Sequence, residues 1–95
     1  MHRYVTYIVE VGIGENGENG YKLAKVKVNQ FGGDPAARSA AVRIFRGATT
    51  RIVAERDEGY SQFLYSPMAV ECTQTQEELI NDGFRFLTNI FYCFK

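Results

Sequence analysis

An α+β fold in the order ββαββα, with two helices packed on one face of a four-stranded, mainly antiparallel sheet, follows from three features of this 95-residue sequence. Residues 3–11 and 21–28 alternate apolar and polar side chains. Residues 34–37 read Asp-Pro-Ala-Ala, a helix start, and residues 75–78 read Thr-Gln-Glu-Glu, a capping box. The length fits one globular domain over residues 1–95.

In the first strand Val5, Tyr7, Val9 and Val11 share one face, and Tyr4, Thr6, Ile8 and Glu10 share the other. This predicts a half-buried strand. Residues 21–28 place Ala24, Val26 and Val28 inward, with Lys25, Lys27 and Asn29 facing out beside Leu23. The two should form an antiparallel hairpin. Its connection, residues 12–20, contains two Asn-Gly dipeptides that accept positive φ and is longer than a tight hairpin needs.

Asp34 can cap free amides while Pro35 occupies the first helical position, where a missing N–H costs nothing. The helix then runs to about Arg46, with Gly47 as its stop. Ala37, Ala40, Ala41, Ile44 and Phe45 form its apolar stripe, and Arg38, Arg43 and Arg46 gather opposite. β-Branched residues on either side of Gly47 also fit a hairpin, and the start signal favours the helix. Residues 49–56 and 60–65 read as two further strands joined by an Asp57-Glu58-Gly59 turn, and residues 68–72 extend the second of them beyond Pro67.

From Gln76 a second helix is expected to continue to the C-terminus. Leu79, Ile80, Phe84, Phe86, Leu87, Ile90, Phe91, Cys93 and Phe94 fill an arc of about 180°, wider than the stripe of roughly 100° that one sheet requires. Gly83 lies within that arc, where its cost in a helix is easier to accept if a neighbouring backbone or ring packs closely. The rest of the arc should meet either the first helix or another subunit, and Phe84, Phe91 and Phe94 are the candidates for an interface in the second case.

Catalytic groups are sparse. His2 is the single histidine, placed in a terminus expected to fray, and Cys72 and Cys93 have neither metal-ligand spacing nor an adjacent base. Neither enzymatic activity, a metal nor a cofactor is expected. With no apolar run long enough to span a membrane and no secretory leader pattern, the chain reads as cytoplasmic.

Eleven basic and eleven acidic residues cancel, yet the charge is unevenly placed: net −2 over residues 1–20, +6 over 21–56 and −4 over 57–95. Lys25, Lys27, Arg38, Arg43 and Arg46, with Tyr4 as a stacking ring, are the candidate binding residues of this basic middle. The expectation is a small non-enzymatic interaction protein whose partner is another protein or a second copy of itself. Single-stranded nucleic acid or RNA is the alternative partner.

Overall fold

Alternation makes residues 3–11 a strand, and the composition of both its faces places it at the centre of a sheet. The computed structural model describes residues 1–13, 18–44, 50–65 and 68–87. Strand β1, His2–Ile13, pairs with β2, Glu18–Val28, in a ladder running from Arg3 opposite Val28 to Ile13 opposite Glu18. Its other edge pairs with β3, Thr50–Ser61. Outside these lie β4, Met68–Glu71, on β2 and β5, Arg85–Phe86, on β3. The described residues thus form a five-stranded antiparallel sheet, ordered β4-β2-β1-β3-β5, where four strands were expected.

Both faces of β1 are buried. Val5, Tyr7, Val9 and Val11 pack with Ala24 and Val26 of β2 against Ala37 and Ala41 of helix α1, Gly33–Ile44. Their small side chains let the helix lie close to the sheet. Ile8 belongs to the opposite face, in a cluster with Tyr21, Val53, Ala54, Leu79 and Phe84. Leu79 lies on helix α2, Gln76–Asn81, so the two helices cover opposite faces of the sheet and not one. The expected half-burial of β1 fails for the same reason: Tyr4 and Ile8 carry apolar bulk on the face assigned to solvent.

The hairpin is longer than its glycines suggested, because Gly12, Asn19 and Gly20 join the ladder. His2 is likewise held in the sheet, opposite Ser61. Asp57-Glu58-Gly59 does not turn the chain. It forms a bulge within β3, in which Asp57 faces Val5, Gly59 faces Tyr4 and Glu58 is the extra residue. Gly59 has φ of 75°, and its N–H donates to Asp57 Oδ1 at 2.8 Å. Turns and bulges need the same positive-φ glycine, which is why the sequence read as a turn.

Helix α2 begins with the expected capping box: Thr75 Oγ1 accepts from the Glu78 N–H at 3.2 Å, and the Thr75 N–H donates to Glu78 Oε1 at 3.1 Å. It ends far short of the C-terminus. Gly83, at φ of 94°, donates to the Ile80 carbonyl, and the Phe84 N–H donates to the Leu79 carbonyl, each at 3.0 Å. These bonds form a Schellman stop, closed by the burial of Phe84 and Leu79 in one cluster. Gly83 therefore ends the helix and does not mark a close approach inside it. Residues 88–95 lie outside the described chain, including Phe91 and Phe94 of the expected interface.

Arg3 fastens the start of α1 and the β3 bulge to β1. Its Nη1 donates to Asp34 Oδ1 at 2.9 Å, while Nε and Nη2 donate to Asp57 Oδ2 at 3.1 and 2.9 Å. The guanidinium, helped by the Gly59 N–H, holds the Asp57 carboxyl below its ordinary range. Beneath α1, Tyr7 is 0% exposed and its hydroxyl has no hydrogen-bond partner among the described residues. Burial, reinforced by the Asp34 and Glu55 carboxylates, pushes the Tyr7 phenol up to about 12.

Two outcomes are expected. Gly83→Ala forces a Cβ into the left-handed region and lowers the unfolding free energy by about 1–2 kcal/mol, measured by urea denaturation. Because the Tyr7 phenol is raised in the folded state, its contribution is complete below its ordinary value of 10 and is lost as pH rises towards 12. Thermal melts at rising pH should show that loss in the parent protein, and Tyr7→Phe should abolish it with little effect at neutral pH.

Candidate functional site

The chain reaches β4 from β3 by crossing the face of the sheet opposite α1, and Tyr4 fixes that crossing. The Tyr4 hydroxyl donates to the Phe63 carbonyl at 3.2 Å and accepts from the Tyr65 N–H at 2.7 Å. The Tyr65 ring meets Tyr4 edge-on, with centroids 5.4 Å apart. Lys25 Nζ lies 4.7 Å from the Tyr65 centroid and 5.5 Å from that of Tyr4. Tyr4 is only 2% exposed, so it is a buried support and not the expected stacking platform.

Beside this crossing, a groove of about 460 Å³ opens at the side of β2. Val26 and Lys27 supply its strand wall, Ala40 and Ile44 its helix wall, and Leu64 and Tyr65 the crossing segment, with Asn29 at the end. Leu64 is 68% exposed and Tyr65 47%, large values for apolar side chains held by a hydrogen-bonded backbone. Three elements distant in sequence converge here.

Lys25 and Lys27 stand at this groove, but the arginines expected to join them are divided. Arg38 turns to the sheet and donates to Glu55 Oε2 at 3.1 Å, and Arg85 holds the other oxygen of the same carboxylate at 2.6 Å. Arg43 lies one turn beyond Ala40 and donates to the Ser39 carbonyl at 3.3 Å, while Arg46 falls outside the described residues. Arg51 pairs with Glu10, Arg56 with Glu58 and Lys22 with Glu71. Among the described residues Lys25, Lys27 and Arg43 form no ion pair; of these Lys27 lines the groove and Lys25 lies against the Tyr65 ring of its wall.

Phe84, expected at an interface, is covered by its own chain: it packs in the cluster of Ile8 and Leu79, and the Arg56 guanidinium lies 4.4 Å from its ring centroid. The Cys72 thiol is partly buried against that cluster, and burial raises its pKa, opposed by a backbone hydrogen bond at Gln74. It is thereby kept from the thiolate form. Among the described residues no group of three or more His, Cys, Asp or Glu side chains could hold a metal ion, and no helix is long and apolar enough to cross a membrane.

Sequence reading found Lys25 and Lys27 but missed Leu64, Tyr65 and Ile44 as members of one site. Their common signal was apolar bulk next to a chain break, near Gly47 for Ile44 and near Pro67 for Leu64 and Tyr65. No protein-family model, curated protein or solved structure matches the chain.

Tyr4→Phe removes the hydroxyl that anchors residues 63–65. The Tyr65 amide should then exchange with solvent faster, by about tenfold for the loss of roughly 1.4 kcal/mol, while amides in the middle of β1 keep their protection. Hydrogen exchange followed by NMR reads both sets at once.

Proposed function

We propose that the protein is a non-enzymatic binding protein whose groove takes a short segment of another protein, one that presents an apolar side chain beside a carboxylate. The supporting observation is the combination of exposed Leu64, Tyr65 and Ile44 with Lys27 at the wall and Lys25 against the Tyr65 ring. An aliphatic or aromatic side chain seated among these residues gains roughly 1.5–3 kcal/mol from burial. A carboxylate beside it meets lysines that no acid of the described chain neutralises.

Such binding combines an electrostatic part that weakens with salt and an apolar part that persists. The supporting contrast is with nucleic acid, whose recognition by Tyr4, Lys25 and Lys27 needs an open ring face; Tyr4 has both its hydroxyl and its ring engaged by residues 63–65.

Selection from a library of random short peptides should enrich sequences that set Asp or Glu beside Leu or Phe. Lys27→Glu should weaken the enriched peptide about tenfold, or roughly 1.4 kcal/mol, and Leu64→Asp should weaken it at least as much. Enrichment indifferent to both substitutions overturns the reading. So does tight binding of single-stranded RNA that falls steeply with salt and outcompetes the peptides, which would assign the lysines to a nucleic acid.

A further inference from the structure

Among the described residues the sheet has two open sides, and they are built differently. Beyond its short pairing with β5, the outer side of β3 carries Arg56, Asp57 and Glu58 together with the Gly59 bulge, features that hinder the addition of another strand. Strand β4 has no positive-φ glycine among its residues and a single charge. Its residues are Met-Ala-Val-Glu, all exposed, with Met68 at 58% and Val70 at 49%. Its one charge, Glu71, already lies 3.6 Å from Lys22 Nζ of β2, so the strand's edge carries no unbalanced charge to repel a neighbour.

The hydrogen-bond phase of β4 identifies the backbone groups that face outward. The Cys72 N–H donates to the Tyr21 carbonyl at 2.9 Å, which continues the register of Lys22 opposite Glu71 and Leu23 opposite Val70. In an antiparallel ladder, residues bonded to the neighbouring strand alternate with residues that turn away from it. Val70 and Met68 therefore share the phase of Cys72 and bond towards β2, whereas Ala69 and Glu71 direct their N–H and C=O groups away from the sheet.

We propose that β4 pairs antiparallel with β4 of a second copy of this chain, with Val70 on the two-fold axis, joining two five-stranded sheets into one. In this register Ala69 of each chain faces Glu71 of the other. Each such pair exchanges two bonds, Ala69 N–H to the Glu71 carbonyl and Glu71 N–H to the Ala69 carbonyl, so every outward group of both residues is used. Val70 meets Val70 across the axis, and Met68 meets Cys72, on the face that already carries Leu23. The even register keeps like faces together, as a continuous sheet requires. A second copy fits because the outward N–H and C=O groups of Ala69 and Glu71 meet their own counterparts under that rotation, while Val70 and Met68, exposed in one chain, are covered in the pair; the groove plays no part in the pairing.

Analytical ultracentrifugation of the full chain over a concentration series should show a monomer–dimer equilibrium. Hydrogen exchange should slow at the Ala69 and Glu71 amides as concentration rises, while the Val70 amide, bonded within the sheet, stays constant. Ala69→Pro removes an outward donor without touching the β2–β4 bonds and should weaken the dimer at least about tenfold. Val70→Lys, which sets two like charges on the axis, should do the same by another route and decides the matter where the proline variant fails to fold. A parent protein that stays monomeric, a dimer that leaves the Ala69 and Glu71 amides unprotected, or a dimer unaffected by the substitutions overturns the proposal. None of these results depends on peptide binding, so the groove and the strand edge stand or fall separately.

Discussion

Burial of β1 on both faces is the constraint from which the rest of the structure follows. A strand that carries Val5, Tyr7 and Val9 on one side and Tyr4 and Ile8 on the other is stable only with strands along both edges and cover on both faces. Each such side chain contributes roughly 1.5–3 kcal/mol when fully removed from water. The described chain has one helix of three turns, and α1 covers one face with it. The opposite face must be closed with shorter pieces. Residues 63–65 cross one end, held by the Tyr4 hydroxyl, and α2 with Phe84 closes the other. A cover made of short segments leaves apolar side chains at its borders, which accounts for the exposure of Leu64 and Tyr65 beside a groove.

The charge pattern has the same origin. Part of the basic middle of the sequence is neutralised by ion pairs between elements and within β3: Arg51 with Glu10 of the first strand, Lys22 with Glu71 of β4, Arg56 with Glu58 of its own strand, and Arg38 with Glu55. All but the Arg56 pair bridge elements more than they stabilise them, since partly exposed ion pairs contribute only about 0–1 kcal/mol each. The Arg3 pairs with Asp34 and Asp57 serve likewise to set the start of α1 against the β3 bulge. After this pairing the described residues retain unpaired positive charge at Lys25 and Lys27 beside the groove, and at Arg43 on α1.

The central hairpin, the first helix and the second helix's beginning were legible because each is written in local chemistry: alternation in residues 3–11 and 21–28, Asp34-Pro35, and the Thr75–Glu78 box. Sheet order was not. Residues 68–71 were assigned to the strand before them, yet they pair with β2 at the far side of the sheet, a placement that depends on the route of residues 62–65 and on no local signal. Two glycines misled for one physical reason. Positive φ serves a turn, a bulge and a helix stop equally, so Gly59 and Gly83 announced a backbone conformation without announcing its use. Of the candidate site, Lys25 and Lys27 were readable from charge and strand phase. Tyr4 was placed on the correct face, but the segment that covers it comes from about sixty residues away in sequence.

The sheet's two sides differ in a way that bears on where a partner can act. On the β3 side, charged side chains and a bulge occupy the open edge, and Arg56 closes further over Phe84 and donates to the Asp82 carbonyl at 3.0 Å. On the β2 side the ion pairs thin out: Leu64, Tyr65, Met68 and Val70 are exposed there, with Lys25 and Lys27 among them. A chain that needed only to remain monomeric and inert would gain from Pro at position 69, whose N–H faces outward, or Lys at position 70, substitutions that an exposed edge strand tolerates. An apolar edge next to a groove bordered by unpaired lysines gives nothing to the core, because neither feature is buried by the described chain. The proposed peptide groove and the proposed strand pairing both lie on this side, and each would cover apolar surface that the described chain leaves open.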